Sequence, residues 1–456
     1  MRRAAMAGVL ACMTACAEPA MARPISEEEA TELRAEIARL KGLVEALERR
    51  VGPGDPPPVA NAPPLAAPAP PAAPYRVEWK GSPRVVEGDR SFKVKGRIQA
   101  DANVVSHPDG LADEGLGFSS EFRRIRLGGE GDLGSGFGYK LELELSDNAV
   151  DLVDTFVTYR RGPLLLTLGN HNAFQSLDEL IGDTGGSVME RAAFTDAFGF
   201  ERRLGFSAQL EHGPLLAQAG IFTDDVNALA NSSDGPQGGD ENNSFSVDGR
   251  LVYAPRLGKA RLHIAGSGHW RRLGRTADAP VRYRQRPFVH SSNSRLIGTG
   301  ALSVSEETSW GVELAGVRGP WHVAAEAHAL RARRIGARAA RFWGGYAELG
   351  YFLTRGDSRP YDRGIFSAAK PARPLGKGGI GAVQVNLRYD TLSLDSGDIR
   401  GGRQNGYIAG LIWTPIQYLR FNLNYARLAY RGATPLADGR RDYALDVIGS
   451  RFELDF

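Results

Sequence analysis

The chain has 456 residues, 42% of them hydrophobic, and a formal net charge of +3, which suits one large barrel or more than one domain. Past the N-terminus no apolar run approaches the ~20 residues of a membrane helix. That excludes a helical membrane protein but leaves a barrel, whose strands carry apolar residues only at alternate positions. Of 56 Lys and Arg only eight are Lys. Arginine is abundant together with Ala, Gly and Pro, as in GC-rich coding, so its placement informs more than its number.

Residues 1–22 read as a secretory signal. Arg2 and Arg3 form its basic end, Ala4 to Ala17 its apolar stretch, and Ala20-Met21-Ala22 an A-x-A cleavage site. Both cysteines, Cys12 and Cys16, lie inside it, so the mature chain is expected to carry no thiol or disulfide chemistry. Met13-Thr14-Ala15-Cys16 is a poor match to a lipoprotein box.

Residues 25–52 are predicted to be a helix. Ser26 and Glu29 make a capping box and Gly52 a stop. Ala30, Leu33, Ile37, Leu40, Val44, Leu47 and Val51 alternate spacings of three and four, a short heptad seam. Residues 53–74 follow with ten prolines, a semi-rigid spacer reaching about 70 Å at ~3.1 Å per residue. A helix on such a leash has little of its own chain to pack against, which favours self-association over an amphipathic helix docked on its own domain.

From about residue 91 the texture changes to alternation. Phe92, Val94, Ile98, Ala100 and Ala102 share one face, and Lys93, Lys95, Arg97, Gln99, Asp101 and Asn103 the other. In GFGYKLELELSD, Phe137, Tyr139, Leu141, Leu143 and Leu145 oppose Lys140, Glu142, Glu144 and Ser146. Such runs start near 91, 121, 137, 152, 163, 203, 215, 244, 259, 308, 321, 341, 379, 405, 418 and 443. Sixteen is an even number, as bacterial single-chain barrels have. The predicted fold of 91–456 is therefore an all-β, sixteen-stranded antiparallel transmembrane barrel. Tight turns such as Gly213-Pro214 and Gly319-Pro320 alternate with long loops at 106–120, 170–202, 224–243 and 274–307. The stretch 355–378 is long on the turn side. Phe452, Leu454 and Phe456 share a face at the end of the chain, the usual terminal signal for outer-membrane assembly.

In VRYRQRPF, Arg282, Arg284 and Arg286 stand at every second position of an extended stretch. Guanidinium groups stay charged near neutral pH and repel one another unless an anion visits. The plain alternative is a solvated basic edge.

EFRRIRLGGEGDLGSGFGYKLELEL, VMERAAFTDAFGFERRLGFSAQL, VRYRQRPF, GGIGAVQVNLRYDTLSL and NGYIAGLIWTPIQYLRFNLNYARL resemble, in order over about 90–456, the phosphate-selective porin O/P family. The resemblance implies a trimeric outer-membrane barrel in lipid, open to small anions such as phosphate. It implies that 170–202 folds into the lumen and that 274–307 bends inward with its arginines. Arg282, Arg284 and Arg286 then look like rungs of an anion ladder, with Arg124 and Arg126 as its continuation. Lys93, Lys95, Lys370 and Lys377 look like a basic exit patch. The other reading is an envelope-tethering barrel whose pore is weakly selective or closed.

Other signals carry less. Gly134-Ser135-Gly136-Phe137-Gly138 joins two strands with no helix after it, so it reads as a turn and not as a nucleotide loop. His322 and His328 share a strand face without a third ligand. No spacing marks a catalytic serine and histidine. The expectation is no enzyme activity, no metal or other cofactor, and no nucleic-acid partner.

Overall fold

The computed structural model describes residues 35, 38–42, 45–46, 75–146, 149–224, 226, 244–273 and 280–456. The expected signal at 1–22, the proline-rich stretch 53–74 and most of the expected helix at 25–52 lie outside the described residues. The described positions between 35 and 46 are helical.

Period-two alternation becomes sixteen strands. The first eight are β1 (Arg90–Val105), β2 (Gly117–Gly134), β3 (Phe137–Glu144), β4 (Asp151–Arg161), β5 (Leu164–Asn172), β6 (Arg202–His212), β7 (Leu215–Phe222) and β8 (Phe245–Tyr253). The second eight are β9 (Ala260–Arg272), β10 (Val304–Arg318), β11 (Trp321–Arg334), β12 (Ala340–Phe352), β13 (Ala382–Ser396), β14 (Ile399–Ile416), β15 (Leu419–Arg431) and β16 (Tyr443–Asp455). Each pairs antiparallel with the next. β16 returns to β1, from Val447 opposite Val105 to Asp455 opposite Arg97, so the barrel closes on itself. A short hairpin, Arg76–Trp79 with Pro83–Glu87, continues the ladder on the lower part of β1.

Three strands begin earlier than the alternation does. β2, β10 and β14 start at Gly117, Val304 and Ile399 rather than near 121, 308 and 405. Hydrogen-bonded pairing continues above the lipid band, where both faces meet polar surroundings and the hydrophobic pattern fades.

Outward positions are apolar and exposed, as with Leu141, Val157, Trp310, Leu314, Leu387 and Leu423. Inward positions are polar and buried, as with Gln99, Asp101, Glu142, Asn386 and Arg451. Phe456 exchanges backbone hydrogen bonds with Gly96 at 2.9 and 3.0 Å, and its ring occupies the space a Cβ at Gly96 would need. The glycine-rich stretch at 134–136 is the tight β2–β3 turn, with Gly134, Ser135 and Gly136 all at positive φ.

The buried apolar cluster is not a barrel-wide core. It lies where the loop after β5 and the loop after β9 fold against the inner wall, and it includes Leu177, Phe194, Tyr283, Ile297, Phe342 and Leu428.

Candidate functional site

The loop 173–201 crosses the lumen because its backbone is caught on many sides. It contains α1 (Leu177–Leu180), capped by the Ser176 side chain, a 3-10 turn at Asp183–Gly185, and α2 (Ala193–Phe198). Gln175 donates to Asp248 on β8 at 2.9 Å, and Ser267 on β9 donates to the Gln175 carbonyl. The Asp178 amide donates to Glu326 on β11 and the Ala193 amide to Asp390 on β13. Arg420 on β15 donates to the Thr184 and Gly186 carbonyls. Arg451 on β16 meets Glu190 and pairs with Asp101 at 2.7 Å.

Asp183 is the centre of this clamp. One of its carboxylate oxygens lies 3.0 Å from each of Arg97, Arg124 and Arg126. Burial alone would raise this carboxyl, but Arg124, Arg126, Arg191 and Arg97 hold it well below the usual carboxylate range. Glu190 is treated likewise: burial opposes ionisation, yet Arg451, Arg123 and Arg124 bring it down to about 2. Glu179 goes the other way. Its burial outweighs Arg191, whose charge is divided between Glu179 at 2.6 Å and Asp183 at 3.6 Å, and the carboxyl is pushed up to about 7.

From the opposite rim the segment 353–381 also turns inward. Arg359 donates to the Gly185 carbonyl and to Glu348, both at 2.8 Å, so this segment touches the tip of the crossing loop. Arg250 on β8 grips the Gly364 carbonyl and Glu313. His263 bridges Glu313 and the Tyr361 hydroxyl.

Two of the cavities differ in charge. At the constriction, a cavity of about 320 Å³ is lined by eight arginines and seven carboxylates. Nearer the outer mouth, a cavity of about 380 Å³ is lined by Arg282, Arg284, Arg295, Arg400 and Arg441 and by no carboxylate among the described residues. Burial and the neighbouring Arg286 and Arg284 bring the Arg295 guanidinium down to about 10, against the pull of Asp196.

The sequence-selected residues distribute as follows. Arg282 and Arg284 face the mouth cavity, exposed, while Tyr283 and Gln285 between them are buried. The stretch is extended but joins no barrel strand; it is held by bridges from Val281 to Leu302 and from Arg284 to Gly298. Arg286 lines the constriction, 3.9 Å from Asp196, which also accepts its backbone amide. Arg124 and Arg126 point inward and are engaged by Asp183, with Arg126 also 2.7 Å from Glu144. Lys95 reaches Glu130 at 3.7 Å, and Lys93 stands opposite Glu130 in register. Lys370 and Lys377 are exposed in the inturned segment and line neither cavity.

Sequence reasoning missed Arg123, Arg295, Arg400 and Arg441. A register shift places Gln99 opposite Arg124 and Ala100 opposite Phe122. Arg123 is the extra residue, so two consecutive arginines serve the lumen, and strict alternation cannot reveal that. Arg295 lies further along the same loop outside the alternating row, and Arg400 and Arg441 come from distant parts of the chain, so they converge only in the fold. His322 and His328 are inward: His322 meets Asn386 at 3.1 Å and His328 stacks on Phe194.

The model of the family described as phosphate-selective porin O and P matches residues 92–456. The chain belongs to that family of outer-membrane porins. It is also 56% identical, over 97% of its length and 94% of the other's, to an uncharacterized protein of Caulobacter vibrioides. Among solved structures the fold resembles OmpT of Vibrio cholerae, at TM-score 0.51, 8% identity and coverage of 81% of this chain and 99% of that one. It also resembles an anion-selective porin from Comamonas acidovorans, at TM-score 0.51, 12% identity and coverage of 80% and 100%. At those identities the likeness is one of fold. In this porin the arginines of the constriction are paired with carboxylates, whereas those lining the mouth cavity meet no carboxylate among the described residues.

Proposed function

We propose that this outer-membrane porin passes small anions, phosphate among them, by diffusion and without chemistry on the solute. The observation that carries the reading is the mouth cavity of five arginines with no carboxylate among the described residues. Arginine offers paired donors to phosphate oxygens, and a pore needs several weak sites so that an ion both enters and leaves. Salt screens exposed charge beyond roughly 8 Å, so Arg282 and Arg284 draw anions in locally and hand them to Arg286. Lys93, Lys95, Lys370 and Lys377 form the basic exit in this reading.

The working assembly in this proposal is a homotrimer. Residues 25–52 form a periplasmic coiled coil on the 53–74 spacer, after removal of 1–22. The competing reading, a tethering barrel with a closed pore, draws on the paired charges that fill the constriction.

Planar-bilayer reversal potentials under chloride and phosphate gradients separate the two. Anion-selective current with saturable block by phosphate is expected; a barrel without conductance overturns the transport reading. A Leu40→Cys chain should crosslink between copies, and its native mass should be three chains; a monomeric mass overturns the assembly.

A further inference from the structure

The lipid-facing wall holds two arginines that the lumen cannot use. On β11 and β12 the outward positions are the odd ones, and they run upward as a regular ladder. Trp321 stands opposite Tyr351, Ala325 opposite Ala347, Ala327 opposite Gly345, Ala329 opposite Trp343, and Arg331 opposite Arg341. Trp321 and Tyr351 pack at 4.5 Å near the periplasmic end. Exposed Trp310 and Trp343 mark the outer end of the apolar band. Arg331 and Arg341 sit one inward–outward repeat above that belt, both exposed.

Directly opposed side chains in an antiparallel ladder have Cβ atoms about 5 Å apart, and like charges there are destabilising. Neighbouring carboxylates do not relieve this pair. Glu306 serves Arg333 at 3.7 Å and Asp398 serves Arg334 at 2.6 Å, and no carboxylate among the described residues lies within ion-pair distance of Arg331 or Arg341. Two other outward arginines at this level are compensated, Arg403 by Asp395 at 3.0 Å and Arg427 by Asp446 at 3.0 Å, while exposed Arg431, opposite Arg403, stands beside a partner that is already neutralised. Below the uncompensated pair, Ala329, Ala327, Gly345 and Ala347 leave a shallow apolar channel, with Trp310 and Val312 of β10 along one side.

We infer that Arg331 and Arg341 bind the anionic headgroup of an outer-leaflet glycolipid whose acyl chain lies in the channel of small residues. Guanidinium pairs suit a phosphate or carboxylate headgroup, and the tryptophan belt puts them at headgroup depth. β10, β11 and β12, of 15, 14 and 13 residues, exceed the ~10 a tilted strand needs to span lipid. The arginines therefore clear the hydrocarbon.

The test is native mass spectrometry of the full-length barrel in neutral detergent, titrated with a diphosphorylated lipid A. One lipid adduct is expected. The variant Arg331→Gln/Arg341→Gln should bind roughly thirtyfold more weakly, from the contribution of a surface arginine to anionic-lipid binding taken twice. It should keep heat-modifiable mobility, since its removal of charge relieves repulsion. Arg427→Gln, which alters an arginine already paired, should leave the affinity unchanged. Equal affinity of wild type and double variant overturns the inference, as does an equal loss in Arg427→Gln. Displacement by millimolar inorganic phosphate would mean a site for free anions, and a changed native mass would mean a contact between copies. Either result overturns the lipid.

Discussion

The constriction and mouth cavities are built from the same residue and behave oppositely. At the constriction each arginine is matched by a carboxylate from the crossing loop or the facing wall, as Arg388 is by Glu348 and Asp178 at 2.7 and 3.3 Å. At the mouth, Arg282, Arg284 and Arg400 have no such partner among the described residues. A paired buried arginine positions backbone, because breaking the pair strands a charge. An unpaired, exposed arginine positions nothing, but it holds a field that a passing anion can use. A count of arginines along a pore therefore says little until each is sorted by its partner.

The largest effect expected from breaking this contrast is at Asp183. Asp183→Asn leaves Arg97, Arg124, Arg126 and Arg191 without their shared counter-charge. Removing one member of a buried ionic cluster costs about 3–5 kcal/mol. The variant should lose heat resistance on gels and show larger, noisier single-channel conductance as the loop leaves the lumen. Wild-type stability and conductance in Asp183→Asn would mean the clamp is not ionic.

A moderate effect, on transport alone, is expected at the mouth. Arg282→Gln/Arg284→Gln should reduce the preference for chloride over potassium and weaken phosphate block several-fold. Stability should change by less than ~0.5 kcal/mol, as for exposed side chains generally. An unchanged reversal potential would make the row a solvated edge.

The smallest effect sharpens the comparison with pH. Glu179, at about 7, sits well above the ~4.3 of an unfolded glutamate. Between those values the folded chain holds a proton that the unfolded chain has lost, so the stability contributed by this group falls as pH rises through that window. The constriction also gains a negative charge there. Anion preference should be modestly higher at pH 6 than at pH 8, and Glu179→Gln should flatten that difference. A pH slope that survives in Glu179→Gln would assign it to another group.

The strand plan was legible because period-two alternation is a direct record of one face meeting lipid and the other meeting water. Val94, Leu141 and Phe452 betray their side by chemistry alone, and the even count of runs follows from closure. The long loops were legible as breaks in that record. So was the odd length of 355–378, though not that it turns inward to touch Gly185.

The candidate site was legible only in its local part. Arg282, Arg284 and Arg286 lie within five residues of one another, so spacing exposes them. Arg400 and Arg441 join Arg282 and Arg284 across more than a hundred residues of chain, and Arg295 joins them from further along the same loop, outside the alternating row; no local pattern encodes such a meeting.

The sequence by itself determined the barrel, its strand order and the inward or outward side of most residues, because those depend on neighbours two positions away. Only the tertiary structure decided which of the charged arginines meet a carboxylate. Arg124 and Arg126 look in sequence as free as Arg282 and Arg284, yet Asp183, some sixty residues later, reaches across the lumen to hold them. Coulomb energy depends on distance in space, and that distance is set by where the crossing loop comes to rest.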